Sequence, residues 1–316
     1  SGKKFQLEFT AFSLGEPKCD EFYAKENKVS YEAPLKAQVK LTNKLTGSSK
    51  DQEIFLSDVP MMTAHGTFVI NGVERVIVPQ LARSFGIFFT ENELKGKRYF
   101  GAKIIPARGV WIEIDMEADG VIYVRIDKKR KFPVTSLLRA FGFTTDESIK
   151  EAFAGDEATL AVVSTCLGKD TAKTPADASI EMYKRLRDGD LATAENAKEF
   201  IANLFSGDRY DLSPVGRFRF NKRFNKDMDD KALAVRTITK DDLIQVVKHI
   251  VALAHMPNAK ADDIDHLAQR RVRYVGELLA QKIRVGMTQI KRNVQDRMST
   301  IDTASALPIQ IINQRP

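Results

Sequence analysis

Apolar and polar positions alternate over Leu35–Leu41 and again, more briefly, over Glu53–Leu56. A period of two is that of a half-buried strand, so both are predicted strands, joined by the polar stretch Thr42–Asp51 with Gly47, Ser48 and Ser49. Gly66–Gly72 reads as a tight β-hairpin with Asn71-Gly72 as its turn. Val73–Val78 is the predicted return strand, ended by Pro79, which has no N–H to give to a ladder. Further strands are predicted at Lys103–Ile105, Trp111–Asp115 and Val121–Asp127, separated by Gly109 and by Asp119-Gly120. After Pro133 the period lengthens. Thr135–Phe141, Ala194–Leu204 and Lys240–Ala254 repeat every three or four residues and predict helices, whereas the small, polar Gly168–Ala178 predicts a loop. The longest predicted helix runs from about Leu267 to Met298. Its stripe is Val272, Val275, Leu279, Ile283, Met287, Ile290 and Val294, with Arg270, Arg273, Arg284 and Arg297 off it. There is no internal repeat, and the expected class is α+β in two modules.

The 316 residues suffice for one large domain or two ordinary ones, each with its own core. A hydrophobic content of 43% with 29% charged residues excludes a disordered chain. The net charge of +7 suits a polyanionic partner such as nucleic acid, although on charge alone a soluble protein that is merely basic is the preferred reading. Cys19 and Cys166 are far apart and lack CxxC partners, which argues against a disulfide framework or an ordinary zinc site and for a reducing, cytoplasmic compartment. No apolar run reaches membrane-spanning length and no signal peptide is evident, so no membrane association is expected. The chain starts without Met and stops just after the apolar run Ile309–Ile312, the expectation for a piece of something longer.

Three features invite chemistry. Asp262-Asp263-Ile264-Asp265-His266 has metal-ligand side chains. The plainer reading, preferred at this point, is a loop whose acids favour the positive start of the long helix. Lys128, Lys129, Arg130 and Lys131 form a basic run, either a solvated edge or a grip on phosphates. Trp111, the only tryptophan, is a core residue or a stacking platform for a base. No convincing Ser-His-Asp order, P-loop or dinucleotide fingerprint occurs, and His65, His249, His255 and His266 are scattered.

Five long stretches, in order, resemble the bacterial RNA polymerase β subunit. They are Asp58–Phe89, Ala102–Trp111, Val124–Lys131, Asp208–Arg217 and Asp262–Glu277, so the resemblance covers nearly the whole chain. It implies two modules: a protrusion from about 1–71 with 275–316, and an inserted lobe at about 72–274. It also implies that this stretch is not catalytic by itself. It would carry no cofactor, since the catalytic magnesium of the parent complex is held by the β′ subunit. The implied partners are DNA, the β′ and α subunits and a sigma factor. By the same resemblance, Arg83, Trp111, Ile264, Asp265 and Arg270 line a pocket for the non-template strand. There a carboxylate such as Asp265 accepts both the N1–H and the N2 amino group of an unstacked guanine, the arginines hold phosphates, and Trp111 faces the neighbouring base. Arg187, Arg209 and the run Lys128–Lys131 are further implied DNA contacts. Arg75, Val78 and Gln80 match the edge of the rifamycin site. Ser49, Lys50 and Asp51 match the place where transcription-repair coupling factors add a strand. The chain departs from the family at Pro79, Ala82 and Phe85, where Ser, His and Pro are usual, and it is short between Phe153 and Ile180. Two other readings remain: a protein-interaction platform with little DNA affinity when isolated, and, ranked last, a metal centre at Asp262, Asp263 and Asp265.

Overall fold

A computed structural model describes residues 4–187, 191–301 and 307–312. The fold is α+β, in two compact units. One comprises Ser1–Leu81 with Val272–Pro316 and the other Ala82–Arg271. The sequence reading put the junctions at 71/72 and 274/275. The packing puts them at 81/82 and 271/272, because the hairpin that follows Gly66 belongs with the first unit. Among the described residues no helix is long and apolar enough to cross a membrane.

The first unit opens with strand β1 (Phe5–Leu14), a short helix α1 (Glu21–Glu26) and the long strands β2 (Glu32–Asn43) and β3 (Ser49–Pro60). These strands form an antiparallel sheet in the order β1-β2-β3. The predicted turn is therefore shorter than expected, only residues 44–48. The next pair, β4 (Phe68–Ile70) and β5 (Val73–Arg75), is the predicted hairpin. Asn71 (φ 51°) and Gly72 (φ 78°) are both left-handed, as a two-residue turn matched to the strand twist requires. A Cβ at Gly72 would lie 2.7 Å from the Lys28 Cα, so bare backbone is needed there twice over. The return strand stops at Arg75, short of the expected Val78.

The chain crosses to the second unit along β6 (Gln80–Arg83). A five-stranded antiparallel sheet follows: β7 (Gly86–Leu94), β8 (Lys97–Ile105), β9 (Ile112–Met116), β10 (Ile122–Ile126) and β11 (Phe132–Pro133), each beside the next. Inward positions are Ile, Val, Phe and Ala, while Lys103, Glu113 and Arg125 stand in one register row on the other face, where Lys103 pairs with Glu113 (3.5 Å) and Arg125 with Asp115 (3.0 Å). The helices α2 (Val134–Ala140), α3 (Asp146–Ala152), α4 (Glu157–Lys169), α5 (Pro175–Leu186), α6 (Ala194–Leu204), α7 (Ser213–Arg223), α8 (Asp230–Ala234) and α9 (Lys240–His255) come next. Leu137, Val163, Cys166, Val246 and Ile250 from these helices share one core with Ile104, Ile112, Ile114 and Val124 of the sheet. Gly168–Ala178 is not a loop throughout: α4 continues to Lys169, and Thr174 caps α5 with Pro175 at its first turn and Asp177 closing a capping box. That Thr-Pro-x-Asp signal overrides the small, polar composition.

The long helix predicted from Leu267 is also corrected. Leu267–Gln269 is one 3₁₀ turn, β12 (Arg270–Arg273) is a strand paired with β6, and helix α10 spans Val275–Thr300. Pairing with a strand about 190 residues away is a tertiary fact that a local period cannot foresee. The acids at 262–265 therefore do not head a long helix, and that account of them falls. Back in the first unit, Ile290, Val294 and Met298 of α10 cover the sheet face carrying Phe5, Val39, Leu41, Ile54 and Leu56, joined by Ile311 of α11 (Pro308–Ile311).

Among the described residues, the most buried ion pair locks α7 to α9. Arg217 and Asp242 are 3% and 1% exposed, with Nη1 2.8 Å from Oδ2. Arg217 also donates to the Val235 carbonyl (2.6 Å) and to that of Thr237. Asp242 takes further bonds from Lys226 Nζ (2.8 Å) and the Thr239 N–H (3.0 Å), the latter part of the α9 capping box. Burial by itself pushes the Asp242 carboxyl up, but the Arg217 charge and the bonds from Lys226 and Thr239 outweigh it and hold the pKa below the usual aspartate value. Removing one partner of such a pair strands the other in a dry interior. Asp242→Ala is accordingly expected to cost about 3–5 kcal/mol in urea unfolding at neutral pH. A depressed folded pKa means that the stabilisation is complete above the unfolded pKa, about 3.9, and is lost as the pH falls from there through the folded value. The Asp242→Asn protein should therefore be less stable at pH 7 and lose less stability below about pH 4. Equal acid slopes for the two proteins would contradict this assignment.

Candidate nucleic-acid interface

The register of the larger sheet decides what sits together. Gly86 pairs with Ile105, Ile104 with Ile112, and Ile112 with Ile126. One end of the sheet therefore gathers the segment entering β7, the β8–β9 connection and the β10–β11 connection. The turns at Lys95-Gly96 and Asp119-Gly120 lie at the other end. Strands are about 4.8 Å apart, so three spacings carry this end across about 14 Å.

Most of the sequence-predicted residues fall at this end. Trp111 stands one residue before β9, half-buried, outside the strand predicted for it. Its N–H donates to Asp127 Oδ1 (2.9 Å) and its carbonyl accepts from the Asp127 N–H (3.0 Å). Asp127 and Lys128 have positive φ, 48° and 60°, and turn the chain outward so that Lys128, Lys129 and Arg130 are exposed beside Trp111. Lys131 differs in being only half-exposed: its Nζ is 2.6 Å from Glu117 and lies over the Tyr123 ring at 4.3 Å.

Arg209 is exposed in the loop 206–211, which pairs with the β8–β9 connection through mutual Arg108 and Asp211 main-chain bonds of 3.1 and 2.8 Å. Gly109 (φ 117°) makes the contact possible, since a Cβ there would lie 2.8 Å from the Tyr210 ring. Arg187 is exposed at the end of α5 with its guanidinium 5.3 Å from the Phe200 ring. Two residues earlier, Arg185 donates to the Lys131 carbonyl, which joins that helix end to the basic run.

Asp262 attaches the last segment. Its N–H donates to the Phe89 carbonyl (2.9 Å) and its Oδ2 accepts from the Phe89 N–H (2.8 Å), which fastens the chain to the open edge of β7. The loop then returns toward the sheet end, where the Gln269 carbonyl accepts from the Ser84 N–H (2.9 Å). The residues flanking that bond are Arg83 and Arg270, which are thereby neighbours. Arg270 Nε is buried with no hydrogen-bond partner among the described residues. Ile264 is half-buried and Asp265 exposed, and the Asp265 carboxylate bonds to nothing among the described residues. The other acids have structural work. Asp263 Oδ1 accepts from the Asp265 N–H (3.0 Å), and Asp262 Oδ1 pairs with Arg223 (3.0 Å). His266 Nδ1 accepts from the Ala268 N–H (3.1 Å). Among the described residues no group of three or more His, Cys, Asp or Glu is placed to hold a metal ion.

Sequence reasoning missed Arg219 and Arg223 on α7. Arg219 Nη2 donates to the Ala268 carbonyl (2.7 Å) and to Gln269 Oε1 (2.8 Å). Two arginines four apart on one helix face were the available signal. Phe85, a departure from the family, has the Arg271 guanidinium 4.0 Å above its ring. Behind the Arg223–Asp262 pair, His249 packs on Phe89 at 4.3 Å. Burial, and then the Arg223 charge, lower the His249 pKa against the pull of Asp262.

In the first unit, β3 is an edge strand and Ser49, Lys50 and Asp51 at its start are exposed. Arg75 lines an apolar groove of about 600 Å³ with Leu56, Ile77, Leu279 and Ile283, and Val78 and Gln80 are exposed nearby in sequence.

One end of the larger sheet, then, gathers exposed cations and an indole, and an unengaged carboxylate stands on the loop fastened along the neighbouring edge of β7. Cations suit phosphates, the indole suits a base face, and the carboxylate suits paired base donors. The sequence model of the family described as RNA polymerase Rpb2, domain 2, matches residues 83–273, nearly the whole second unit. The DNA-directed RNA polymerase subunit beta of Syntrophomonas wolfei subsp. wolfei (strain DSM 2245B / Goettingen) is 42% identical over 313 residues. The match takes in 98% of this chain and 28% of that protein, so the chain spans little more than a quarter of its relative. With more than half of its length matched by the family and nearly all of it by that relative, the chain belongs to the bacterial RNA polymerase β-subunit family.

Proposed function

We propose that the chain is the part of a DNA-directed RNA polymerase β subunit that holds DNA along the sheet end described above, with Asp265 reading one base of the non-template strand. What supports the reading is that the fold brings Arg83 of β6, Trp111 of the β8–β9 connection and the loop stretch carrying Asp265 and Arg270, three separate chain segments, toward one end of the sheet. The division of labour follows from chemistry. Arg83, Arg270, Lys128, Lys129 and Arg130 meet phosphates, with Arg187 and Arg209 extending the basic track. Asp265 accepts from adjacent N1–H and N2–H donors, which guanine alone among the bases presents. Magnesium and phosphoryl transfer belong to the β′ partner in the assembled enzyme, with α subunits and a sigma factor as further partners.

Two substitutions separate specificity from affinity. In the assembled polymerase, Asp265→Ala should cost about 1–3 kcal/mol of discrimination for guanine at the position read, with general DNA binding nearly intact. Lys129→Ala should weaken all sequences alike and lower the salt slope by roughly one contact. The measurement is open-complex lifetime on promoters that differ only at that base. Equal shortening for guanine and thymine in Asp265→Ala would remove the pocket assignment.

The edge position of β3 favours a second role on the first unit. A partner strand adding to that edge takes affinity from main-chain bonds and specificity from side chains at 49–51. Lys50→Ala with Asp51→Ala should weaken binding of the interaction domain of a transcription-repair coupling factor, measured by calorimetry. An unchanged Kd with the fold intact would rule this docking out.

A further inference from the structure

We propose that Arg219 and Arg223, one helical turn apart on α7, clamp both ends of the Asp263–Ala268 loop and are the positioning residues that set where Asp265 stands. The part concerning base preference rests on the reading of Asp265 given above; the clamp itself does not.

The loop has little else to hold it. Among the described residues, Asp263 to Leu267 bond only within 263–269: Asp265 N–H to Asp263 Oδ1 (3.0 Å), His266 N–H to the Asp263 carbonyl (3.3 Å), Ala268 N–H to His266 Nδ1 (3.1 Å) and Gln269 N–H to the His266 carbonyl (2.8 Å). Such bonds fix the shape of the loop and leave its placement to its ends. At the first end, Arg223 Nη1 is 3.0 Å from Asp262 Oδ1 while the other oxygen of Asp262 takes the Phe89 N–H. At the second, Arg219 Nη2 reaches both the Ala268 carbonyl and Gln269 Oε1. Each guanidinium also lies over a ring of β7, Arg223 over Phe89 (5.0 Å) and Arg219 over Phe88 (5.9 Å).

A clamp is only as firm as its mount. Residues four apart share one helix face, so one rigid body carries both grips. That body is fixed by Arg217, two residues before Arg219, through its buried bonds to Asp242, Val235 and Thr237. It is also pressed on the start of β7, where a Cβ at Gly86 would lie 3.3 Å from the Arg219 Cβ. A binding group gains selectivity when the shell behind it prevents it from moving to suit the wrong partner.

The test uses polymerase assembled with the full-length β chain and two readouts. Hydrogen exchange reports the loop directly. In Arg219→Ala and in Arg223→Gln the amides of 263–268 should exchange faster while those of β8–β10 do not. The guanine-to-thymine ratio of open-complex lifetimes should fall about 2- to 30-fold in each, the range for a residue acting through another. Arg219→Ala combined with Asp265→Ala should be no worse than Asp265→Ala alone. Arg223→Lys, which can still pair with Asp262, should retain both readouts in part, and serves as the probe should a truncation fail to fold. Unchanged loop exchange in both truncations overturns the clamp whatever the promoters show. An intact ratio in Arg219→Ala, where Asp265→Ala loses it, overturns the positioning role and leaves the pocket standing. An intact ratio in Asp265→Ala overturns the pocket, and the clamp is then judged on exchange alone.

Discussion

Antiparallel neighbours run in opposite directions, so alternate connections of a meander fall at the same end. In the second unit that constraint, fixed by the buried row Ile87, Ile104, Ile112 and Ile126, determines nearly everything of functional interest. A one-residue slip would turn each strand over, sending isoleucines to solvent and Lys103, Glu113 and Arg125 into the core. Burial therefore enforces the register, and the register brings Arg83, Trp111 and the Lys128–Arg130 run to one end although they are spread over almost fifty residues of chain.

The second determinant is the attachment of a late segment to an early edge. Among the described residues β7 has a strand neighbour on one side only, and an open edge needs cover. Asp262 supplies it with main chain and carboxylate together, at Phe89. The same acid that looked like a metal ligand in sequence is thus a fastener, and its neighbour Asp263 a turn former. Asp265 alone is left outward. An acidic cluster that resolves into two structural acids and one unengaged one differs in kind from a metal centre, in which the carboxylates converge.

The first unit depends on chain ends meeting. Its three-stranded sheet buries one face, and the cover comes from α10, which begins more than two hundred residues after β3 ends. The two chain segments complete one core between them, so the second unit is an insertion in the physical as well as the sequence sense.

Strands with strict alternation, the Asn71-Gly72 hairpin and three of the helices were legible in the sequence, because each is specified by local period or turn chemistry. So was family membership, since five long motifs occur in order. What the sequence misplaced was decided at a distance. β12 looked like helix because Val272 and Val275 fit the stripe of α10, yet its partner is β6. β1 drew no strand prediction although Phe5, Leu7 and Phe9 alternate with Gln6, Glu8 and Thr10, and β7, polar beyond Phe89, is held as a strand by its pairing with β8. Among site residues, Trp111, Asp265 and the basic run could be named from sequence, but only the family resemblance grouped them; no local period or spacing puts residues so far apart in the chain side by side. Only the folded sheet showed that Lys131 also pairs with Glu117 over the Tyr123 ring, and brought in Arg219 and Arg223. Local chemistry is written in neighbouring residues. Which charge is spent on structure and which is left for a partner depends on contacts between residues tens to hundreds apart, and these exist only once the core has closed.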